Sequence, residues 1–382
     1  MTVFTTNLDE LGGWLPRRQP RLLDVPLDGP VRRNGVETWY FPSPVLSRFK
    51  FSPLMARELR RQLSSGQFNL IHTHGLYLYP TMMAGRYARR FGVPYIIQPH
   101  GVLDPFMRKR HRVRKAAYAW LTERRNLHGA SAIHYTSNAE RELASSLGLR
   151  ARPFVVPLGI DLDEFSALPP RGTFRRAYPT LQGSQIVLFM GRFAEKKGLD
   201  LLIPAFAAVA AGNDRAYLIL AGPDDEGYGS KVDQMIRRFG LEGRVIRPGM
   251  VTGQQRLALL TDADVWVLPS YSENFGHAVV EAMASGLPVV ITDRVNIHEA
   301  VSAADAGLVI GCDVEELARS LQNLLANDDR RRELGKKGRE LARAQFGWDK
   351  AASCLIEAYA TLATTGRSRR TTGDERLRET SC

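Results

Sequence analysis

The fold of this chain is decided by the stretch Ser270-Tyr-Ser-Glu-Asn-Phe-Gly-His-Ala-Val-Val-Glu-Ala-Met-Ala-Ser-Gly-Leu-Pro-Val-Val290, which is typical of a loop, a helix, a turn and a strand in succession. The run Asp264-Val-Trp-Val-Leu268, which is apolar after its first residue, precedes it and is bounded by Pro269. Strands of that length and composition are usually buried in a parallel sheet. The loop therefore starts at the carboxyl end of a strand, which is the edge where ligands sit in open α/β sheets.

The helix of this stretch is predicted to begin near Gly276 and to end at Gly286, which supplies a left-handed cap. Its free backbone N–H groups and positive dipole end favour an anion such as a phosphate. Val279 and Val280 belong to the buried stripe, so Glu281 lies on a different face and can point toward the same sheet edge. A capped amphipathic helix with a solvated glutamate is the alternative, and the stretch alone leaves both interpretations open.

A second strand-to-loop junction lies earlier in the chain. Residues 185–190 form a fully apolar strand, and the loop Gly191-Arg-Phe-Ala-Glu-Lys-Lys-Gly198 follows it. Apolar residues then recur at helical spacing, which places Arg192 and Lys197 in a strand-to-helix loop. We expect both cations at the same sheet edge as the first stretch.

Together, the two stretches resemble the retaining family-4 glycosyltransferases of the GT-B type. The match consists of Glu273, seven residues and Glu281, with Asn-Phe-Gly between them and Glu-Ala-Met-Ala-Ser-Gly-Leu-Pro-Val at the end. Gly-Arg, four residues and Lys-Gly at 191–198 complete it. The resemblance implies two Rossmann-like, doubly wound α/β domains that face a central cleft.

The resemblance also implies roles for individual residues. Glu281 would hold the ribose hydroxyls of a sugar nucleotide, and Glu273 would lie beside the donor sugar. His100 ends a strand in a His-Gly pair and matches a position where the imidazole contacts that sugar, so the implied catalytic residues are Glu273 and His100. The implied donor-binding residues are Arg192, Lys197, Met250, Val251, Asn274, Phe275, Gly276, His277 and Glu281. His72 and His74 are interpreted as structural.

The chemistry of glycosyl transfer explains why cations are needed there. The leaving group is an anionic nucleoside diphosphate, and fixed cations in a dry site stabilise the charge that develops as the bond breaks. A bidentate guanidinium and a compact ammonium can do so without a metal. The sequence has no cluster of metal-ligating residues near these positions. We therefore expect a nucleotide sugar as co-substrate, no cofactor and no metal.

The domain boundaries follow from composition and from the resemblance. Residues 157–172 read as a turn-rich crossover. We predict an amino-terminal, acceptor-side domain at 1–165 and a donor-binding domain at 166–345, with a helix at 346–362 that crosses back to the first domain. The first strand and helix of the family's amino-terminal domain are expected to be missing, and 363–382 to be a disordered basic tail.

Composition limits the environment and the partners. The chain has 382 residues, a formal net charge of +12 and three scattered cysteines, which fits a reducing compartment and anionic partners. No apolar run reaches the roughly 18 residues of a spanning helix, and the amino terminus lacks signal-peptide features. We expect a cytoplasmic location, with peripheral contact on the inner face of the membrane.

Residues 107–125 are the source of the expected membrane contact. The segment places aromatic and aliphatic residues on one helical face and crowds arginine and lysine on the other, as interfacial helices do. A solvated charged face is the alternative. Nucleic acid is disfavoured as a partner because no known nucleic-acid-binding signature accompanies the basic stretch.

The sequence thus predicts a glycosyltransferase that moves a sugar to a glycan or lipid-linked acceptor in cell-envelope polysaccharide or lipopolysaccharide biosynthesis. Two alternatives stay open: a GT-B sugar-nucleotide epimerase, which needs no acceptor, and a non-catalytic module that binds a nucleotide sugar or a membrane. A dehydrogenase is disfavoured because no Gly-x-Gly-x-x-Gly follows any predicted strand.

The basic segment makes the membrane contact testable. Reversal of Arg108, Lys109, Arg112 and Lys115 to glutamate should abolish sedimentation with anionic vesicles, because each basic residue near the surface contributes roughly 1 kcal/mol. High salt should release the unaltered protein in the same assay. Equal sedimentation of both proteins, or of neither, would return the segment to a solvated charged face.

Overall fold

The computed structural model describes residues 1–9, 21–104, 123–225 and 227–368. The chain divides into two compact units. Unit 1 comprises Met1–Val156 and Cys354–Cys382, and unit 2 comprises Pro157–Ser353. Residues 107–122 of the predicted interfacial helix and the tail beyond Ser368 lie outside the described residues.

Unit 1 contains three sets of paired strands. The strands are β1 (Thr2–Thr6), β2 (Leu8–Asp9), β3 (Arg21–Leu22), β4 (Pro30–Arg33), β5 (Val36–Phe41), β6 (Ile71–His74), β7 (Tyr95–Gln98), β8 (Ala132–Tyr135) and β9 (Arg152–Val155). One sheet has the order β6-β7-β8-β9 and is parallel throughout. In a second sheet, β5 pairs parallel with β1 and antiparallel with β4. The short strands β2 and β3 form an antiparallel pair.

The helices of unit 1 cover the parallel strands. They are α1 (Pro53–Ser64), α2 (Tyr79–Phe91), α3 (Arg124–Gly129) and α4 (Asn138–Ser145). The side chain of Ser52 accepts a hydrogen bond from the N–H of Met55 and thereby caps α1. Ile96, Ile97 and Ile133 of the central strands are fully buried. Strands buried on both faces are typically rich in apolar residues, and these isoleucines form the centre of the sheet.

Unit 2 is one parallel sheet with helices between its strands. The strands are β10 (Gln185–Met190), β11 (Ala216–Ala221), β12 (Val245–Gly249), β13 (Val265–Leu268), β14 (Val289–Thr292) and β15 (Gly307–Ile310). Their spatial order is β12-β11-β10-β13-β14-β15. Chain order therefore reverses between β10 and β13, and such a switch point opens a crevice at the carboxyl ends of the two strands.

The helices of unit 2 alternate with these strands. They are α5 (Leu199–Gly212), α6 (Gly229–Arg238), α7 (Gly253–Asp262), α8 (His277–Ala284), α9 (His298–Ala303), α10 (Val314–Ala326) and α11 (Asp328–Gln345). A last helix, α12 (Trp348–Ser368), leads from unit 2 into unit 1. It continues past Leu362, so the predicted disordered tail cannot begin at residue 363. Thr361 and Thr364 each donate a hydrogen bond to a carbonyl four residues earlier, as helical residues do.

A buried polar network attaches the start of unit 2 to its sheet. Asp264 accepts a hydrogen bond from the N–H of Ile186 at 2.7 Å and one from Arg175 at 3.3 Å. Asp262, which is fully buried, accepts from the N–H of Arg175 at 2.9 Å. Burial of these carboxylates would be costly without such partners. The network fixes the entry of β10 against β13.

Among the described residues, no helix is both long enough and apolar enough to cross a membrane.

Gly198, which precedes α5, offers a test of how closely two loops of unit 2 approach each other. Its φ is +70°, and a Cβ there would lie 1.9 Å from the carbonyl oxygen of Pro269. Gly183 has φ +68° but no atom within 4 Å of such a Cβ. Gly183→Ala should cost about 1 kcal/mol of unfolding free energy through backbone strain alone. Gly198→Ala should cost about 1 to 3 kcal/mol more, because backbone has to move.

Urea denaturation of both variants measures this difference. Equal losses of stability would show that the loop after β10 does not press against the end of β13.

Candidate active site

The loop after β10 and the loop after β13 meet at the switch point of the unit 2 sheet. The N–H of Tyr271 donates to the carbonyl of Lys196 at 2.8 Å, and the Tyr271 hydroxyl donates to Asp200 at 2.9 Å. Gly198 lies against Pro269 at the same place. Because the two loops are joined by backbone as well as side-chain contacts, the positions of the groups that they carry are fixed.

Lys197 and Glu273 form an ion pair across this junction. The Lys197 ammonium donates to Oε2 of Glu273, and each side chain is only 15% exposed. Burial opposes ionisation of Glu273, but the charges of Lys197, Lys196 and Arg192 and the hydrogen bond from Lys197 together hold its pKa below the ordinary value. Glu273 is therefore a carboxylate at neutral pH, in a setting where cations outnumber it.

The backbone of Glu273 is held by the loop after β14. Its N–H donates to the carbonyl of Arg294 at 3.0 Å, and its own carbonyl accepts from the N–H of Asn296 at 3.0 Å. These bonds form a parallel bridge between Glu273 and Val295. The carboxylate thus belongs to an ordered turn with backbone pairing on one side and an ion pair on the other.

Helix α8 begins directly after this turn, as predicted. Gly276 precedes it with φ +82°, and no side chain caps the helix. Phe275 is buried and packs edge-on against Phe346, with 5.6 Å between the ring centroids, and this contact holds the turn in place. His277 is exposed and Asn274 is half-buried. An anion can therefore approach the first N–H groups of α8 without displacing a capping side chain.

Glu281 lies one turn farther along α8 and has a partner that the sequence did not reveal. Arg256 of α7 donates to Glu281 at 2.7 Å and also pairs with Glu164. Burial, with the nearby charge of Glu164, raises the pKa of Glu281 above its ordinary value despite Arg256. Arg256 and Glu164 have no spacing signal that links them to Glu281, because the three residues belong to separate segments of the chain.

Met250 and Val251 follow β12, at the same carboxyl edge of the sheet. Met250 is 59% exposed and offers an apolar surface to a ligand, whereas Val251 is 7% exposed and belongs to the core. Arg192 lies in the loop after β10 and is half-buried. The switch point thus brings Arg192, Lys197, Glu273 and the start of α8 together, while Met250 and Val251 lie at the edge strand.

His100 belongs to unit 1, where it follows β7 with a left-handed φ of +53°. Its Nε2 lies 3.2 Å from Nδ1 of His74, and both side chains are exposed. His72 lies behind them, with its Nδ1 2.6 Å from the hydroxyl of Tyr359. Burial, helped by the neighbouring histidines, lowers the pKa of His72 to about 2, so this imidazole stays neutral. The sugar contact of His100 stays a prediction.

Among the described residues, no group of three histidine, cysteine, aspartate or glutamate side chains is placed to hold a metal ion.

Comparison with known proteins covers both units. The family Glycosyl transferases group 1 matches residues 170–341, and the glycosyl transferase 4-like domain matches residues 1–159. A phosphatidyl-myo-inositol mannosyltransferase from Mycobacterium leprae is 29% identical over 84% of this chain and 81% of its own length. A 2-deoxystreptamine glucosyltransferase from Streptomyces kanamyceticus is 30% identical over 73% of each chain.

Solved structures agree on the fold. Sucrose-phosphate synthase from Thermosynechococcus elongatus has a TM-score of 0.71 at 23% identity, over 95% of this chain and 89% of that one. HepE from Anabaena in complex with UDP has a TM-score of 0.71 at 20% identity, over 85% of this chain and 86% of that one. The chain belongs to the group 1 glycosyl transferases and is a family-4 glycosyltransferase with the GT-B fold.

Proposed function

We propose that this glycosyltransferase moves a sugar from a nucleotide-sugar donor to a glycan or lipid-linked acceptor, with retention of the anomeric configuration. The observation that carries the proposal is the Lys197–Glu273 pair at the switch point of the unit 2 sheet. The pair supports the proposal because a departing diphosphate requires a nearby cation and a positively charged sugar ring is stabilised by a nearby carboxylate.

The diphosphate of the donor binds between the loop after β10 and the start of α8. Lys197 then gives up its ion pair with Glu273 and binds phosphate oxygens, and Arg192 supplies a second cation. The backbone N–H groups of Gly276 and His277 donate hydrogen bonds to the same diphosphate. The bond between the anomeric carbon and the phosphate oxygen breaks with its electron pair on the diphosphate, an acceptor hydroxyl oxygen forms the new bond to that carbon, and the hydroxyl proton passes to the departing phosphate. Cations already in place stabilise that charge without reorganisation.

Glu273 acts on the sugar side of the same bond. Its pKa is held low by the surrounding cations, so it is negative when positive character builds on the anomeric carbon. Glu273 serves there either as the nucleophile or as the stabiliser of that charge. Either role requires the carboxylate to be ionised and fixed, and the backbone bonds to Arg294 and Asn296 supply the fixation.

Glu281 and Met250 bind the nucleoside part of the donor. The Glu281 carboxylate accepts from the ribose hydroxyls, and Arg256 keeps it oriented from the side. Met250 offers its exposed apolar side chain to the base. HepE from Anabaena has structures in complex with UDP and with UDP-glucose, which supports a nucleotide-sugar donor.

One relative supports the choice of a lipid-linked acceptor, because it is named a phosphatidyl-myo-inositol mannosyltransferase. We place this enzyme in cell-envelope polysaccharide or lipopolysaccharide assembly, on the cytoplasmic side of the membrane. The transfer is proposed to need neither a metal nor an organic cofactor.

Substitution of each glutamate separates the two proposed roles. Glu273→Gln should lower kcat at least a hundredfold with no loss of nucleoside diphosphate affinity, because the charge facing the transition state is lost and Lys197 no longer has a carboxylate that the diphosphate must displace. Glu281→Gln should mainly raise the donor KM and leave kcat within about threefold. The assay is transfer from a panel of nucleotide sugars in the presence of EDTA, with NMR assignment of the product anomer.

Glu242→Gln is the matched control, since Glu242 is exposed and precedes β12 at the opposite, amino-terminal edge of the sheet. An inverted product, or activity that EDTA abolishes, contradicts the mechanism. A Glu273→Gln enzyme with the kcat of the Glu242→Gln control removes Glu273 from the chemistry.

A further inference from the structure

Helix α11 of unit 2 presents a row of cations that the proposed reaction does not use. Arg332, Lys336, Arg339 and Arg343 are spaced by four, three and four residues, which places them on one face of the helix. Together with Gly286, Gly335 and Glu340 they line a cavity of about 360 Å³. Four cations thus converge on one concave surface that holds a single carboxylate.

The cavity exists because two glycines let the backbones of α11 and the turn after α8 touch. A Cβ on Gly335 would lie 2.0 Å from the carbonyl oxygen of Gly286. A Cβ on Gly286 would lie 2.6 Å from Nη2 of Arg339. The guanidinium of Arg339 therefore packs directly against the backbone of Gly286. Neither glycine contributes a side chain that would fill the space.

Arg339 is held in this position by a hydrogen bond. Its Nη2 donates to the carbonyl of Ser285 at 2.7 Å, at the carboxyl end of α8. Its Nε is buried and has no hydrogen-bond partner among the described residues. One cation of the cavity is consequently fixed by the fold.

The other cations of α11 differ from those of the cavity in how they are neutralised. Arg330 and Lys337 each pair with both Asp305 and Glu333. Arg331 pairs with Asp328, so all three cations outside the cavity have acidic partners.

Within the cavity, Arg332 has only an exposed pair with Asp329. Lys336 and Arg343 make no ion pair with any residue that the structure describes. Among the described residues, the cations of α11 that lack an acidic partner are therefore all on the concave face, where only Arg332 has one. A multiply charged anion can bind such cations without first breaking their ion pairs, which lowers the free-energy cost of binding.

We propose that this cavity binds a phosphorylated ligand through its phosphoryl oxygens. Arg339 supplies a guanidinium fixed at the cavity wall, and Lys336 and Arg343 close on the anion from the helix surface. A phosphate with more than one negative charge matches the surplus of cations better than a carboxylate does. The phosphoryl group can come from a soluble metabolite or from a lipid headgroup, and the test separates these sources.

This cavity is separate from the proposed donor site, although one helix connects them. Gly276 lies at the amino end of α8, whereas Ser285 and Gly286 follow its carboxyl end. A helix of eight residues spans roughly 12 Å at 1.5 Å per residue. Phosphate binding in the cavity does not depend on donor binding at Lys197. The experiment therefore has to measure binding at the cavity and at the donor site separately.

Lysine acetylation mapped by mass spectrometry reports on Lys336 directly. Pyrophosphate should slow the acetylation of Lys336 at least fivefold and leave Lys231 unchanged, since Lys231 is an exposed lysine on α6. The double variant Arg192→Ala/Lys197→Ala should show the same protection of Lys336, because it alters only the donor site. Equal rates for Lys336 with and without pyrophosphate overturn the proposal.

Charge reversal tests the affinity. In the Arg192→Ala/Lys197→Ala background, which lacks the donor-site cations, Lys336→Glu/Arg343→Glu should weaken pyrophosphate binding in calorimetry by more than tenfold, with the fold checked by circular dichroism. The control Lys231→Glu/Arg237→Glu makes the same change of net charge on α6 and, in that background, should bind like the unreversed protein. Equal weakening of pyrophosphate binding by both double variants would show that only net charge matters and would contradict a specific site in the cavity.

Vesicles identify the source of the phosphoryl group. If the ligand is a lipid headgroup, phosphatidylglycerol vesicles should protect Lys336 as well as pyrophosphate does, and phosphatidylcholine vesicles should not. If it is a soluble metabolite, pyrophosphate alone should protect Lys336. Protection by neither probe contradicts the proposal.

Discussion

The contact between the loop after β10 and the loop after β13 is the constraint on which the site depends. The chain order of the unit 2 strands reverses between β10 and β13, so the loops that follow these two strands leave the same edge of the sheet as neighbours. Gly198 allows the closest approach, since any side chain there would meet the carbonyl of Pro269. The bond from Tyr271 to Lys196 then fixes the register of one loop against the other. Without this contact, Lys197 and Glu273 would not share an ion pair.

The electrostatics of the site follow from that geometry. A partly buried carboxylate beside three cations is ionised, and the same cations are available to an incoming anion. The ion pair between Lys197 and Glu273 avoids an unpaired buried charge. Under the proposed function, a donor diphosphate takes over the Lys197 ammonium and leaves Glu273 to face the sugar.

Much of unit 2 was predictable from the sequence because its strands are buried on both faces. Residues 185–190 read as a continuous apolar run and form β10 without a shift of either end. The helix after Gly276 was also predicted, since Gly276 and Gly286 mark its limits. Helix α11 was missed, because its many charged residues hide the narrow apolar stripe of Leu334 and Leu341.

Side-chain partners were the part that the sequence could not supply. Arg256 and Glu164 reach Glu281 only through the packing of separate segments, and no local spacing records that. In unit 1 the hairpin of β4 and β5 was overlooked although Asn34 and Gly35 have the left-handed φ angles of a two-residue turn. Asn-Gly is a strong hairpin signal, so this element was within reach of the sequence.

A crystal structure of the protein grown with uridine diphosphate would show whether Lys197 and the start of α8 bind the donor diphosphate. We expect phosphate oxygens within about 3.2 Å of Lys197 Nζ and near the first N–H groups of α8, with Lys197 detached from Glu273. A diphosphate bound away from the carboxyl ends of β10 and β13, with the Lys197–Glu273 pair intact, would contradict it.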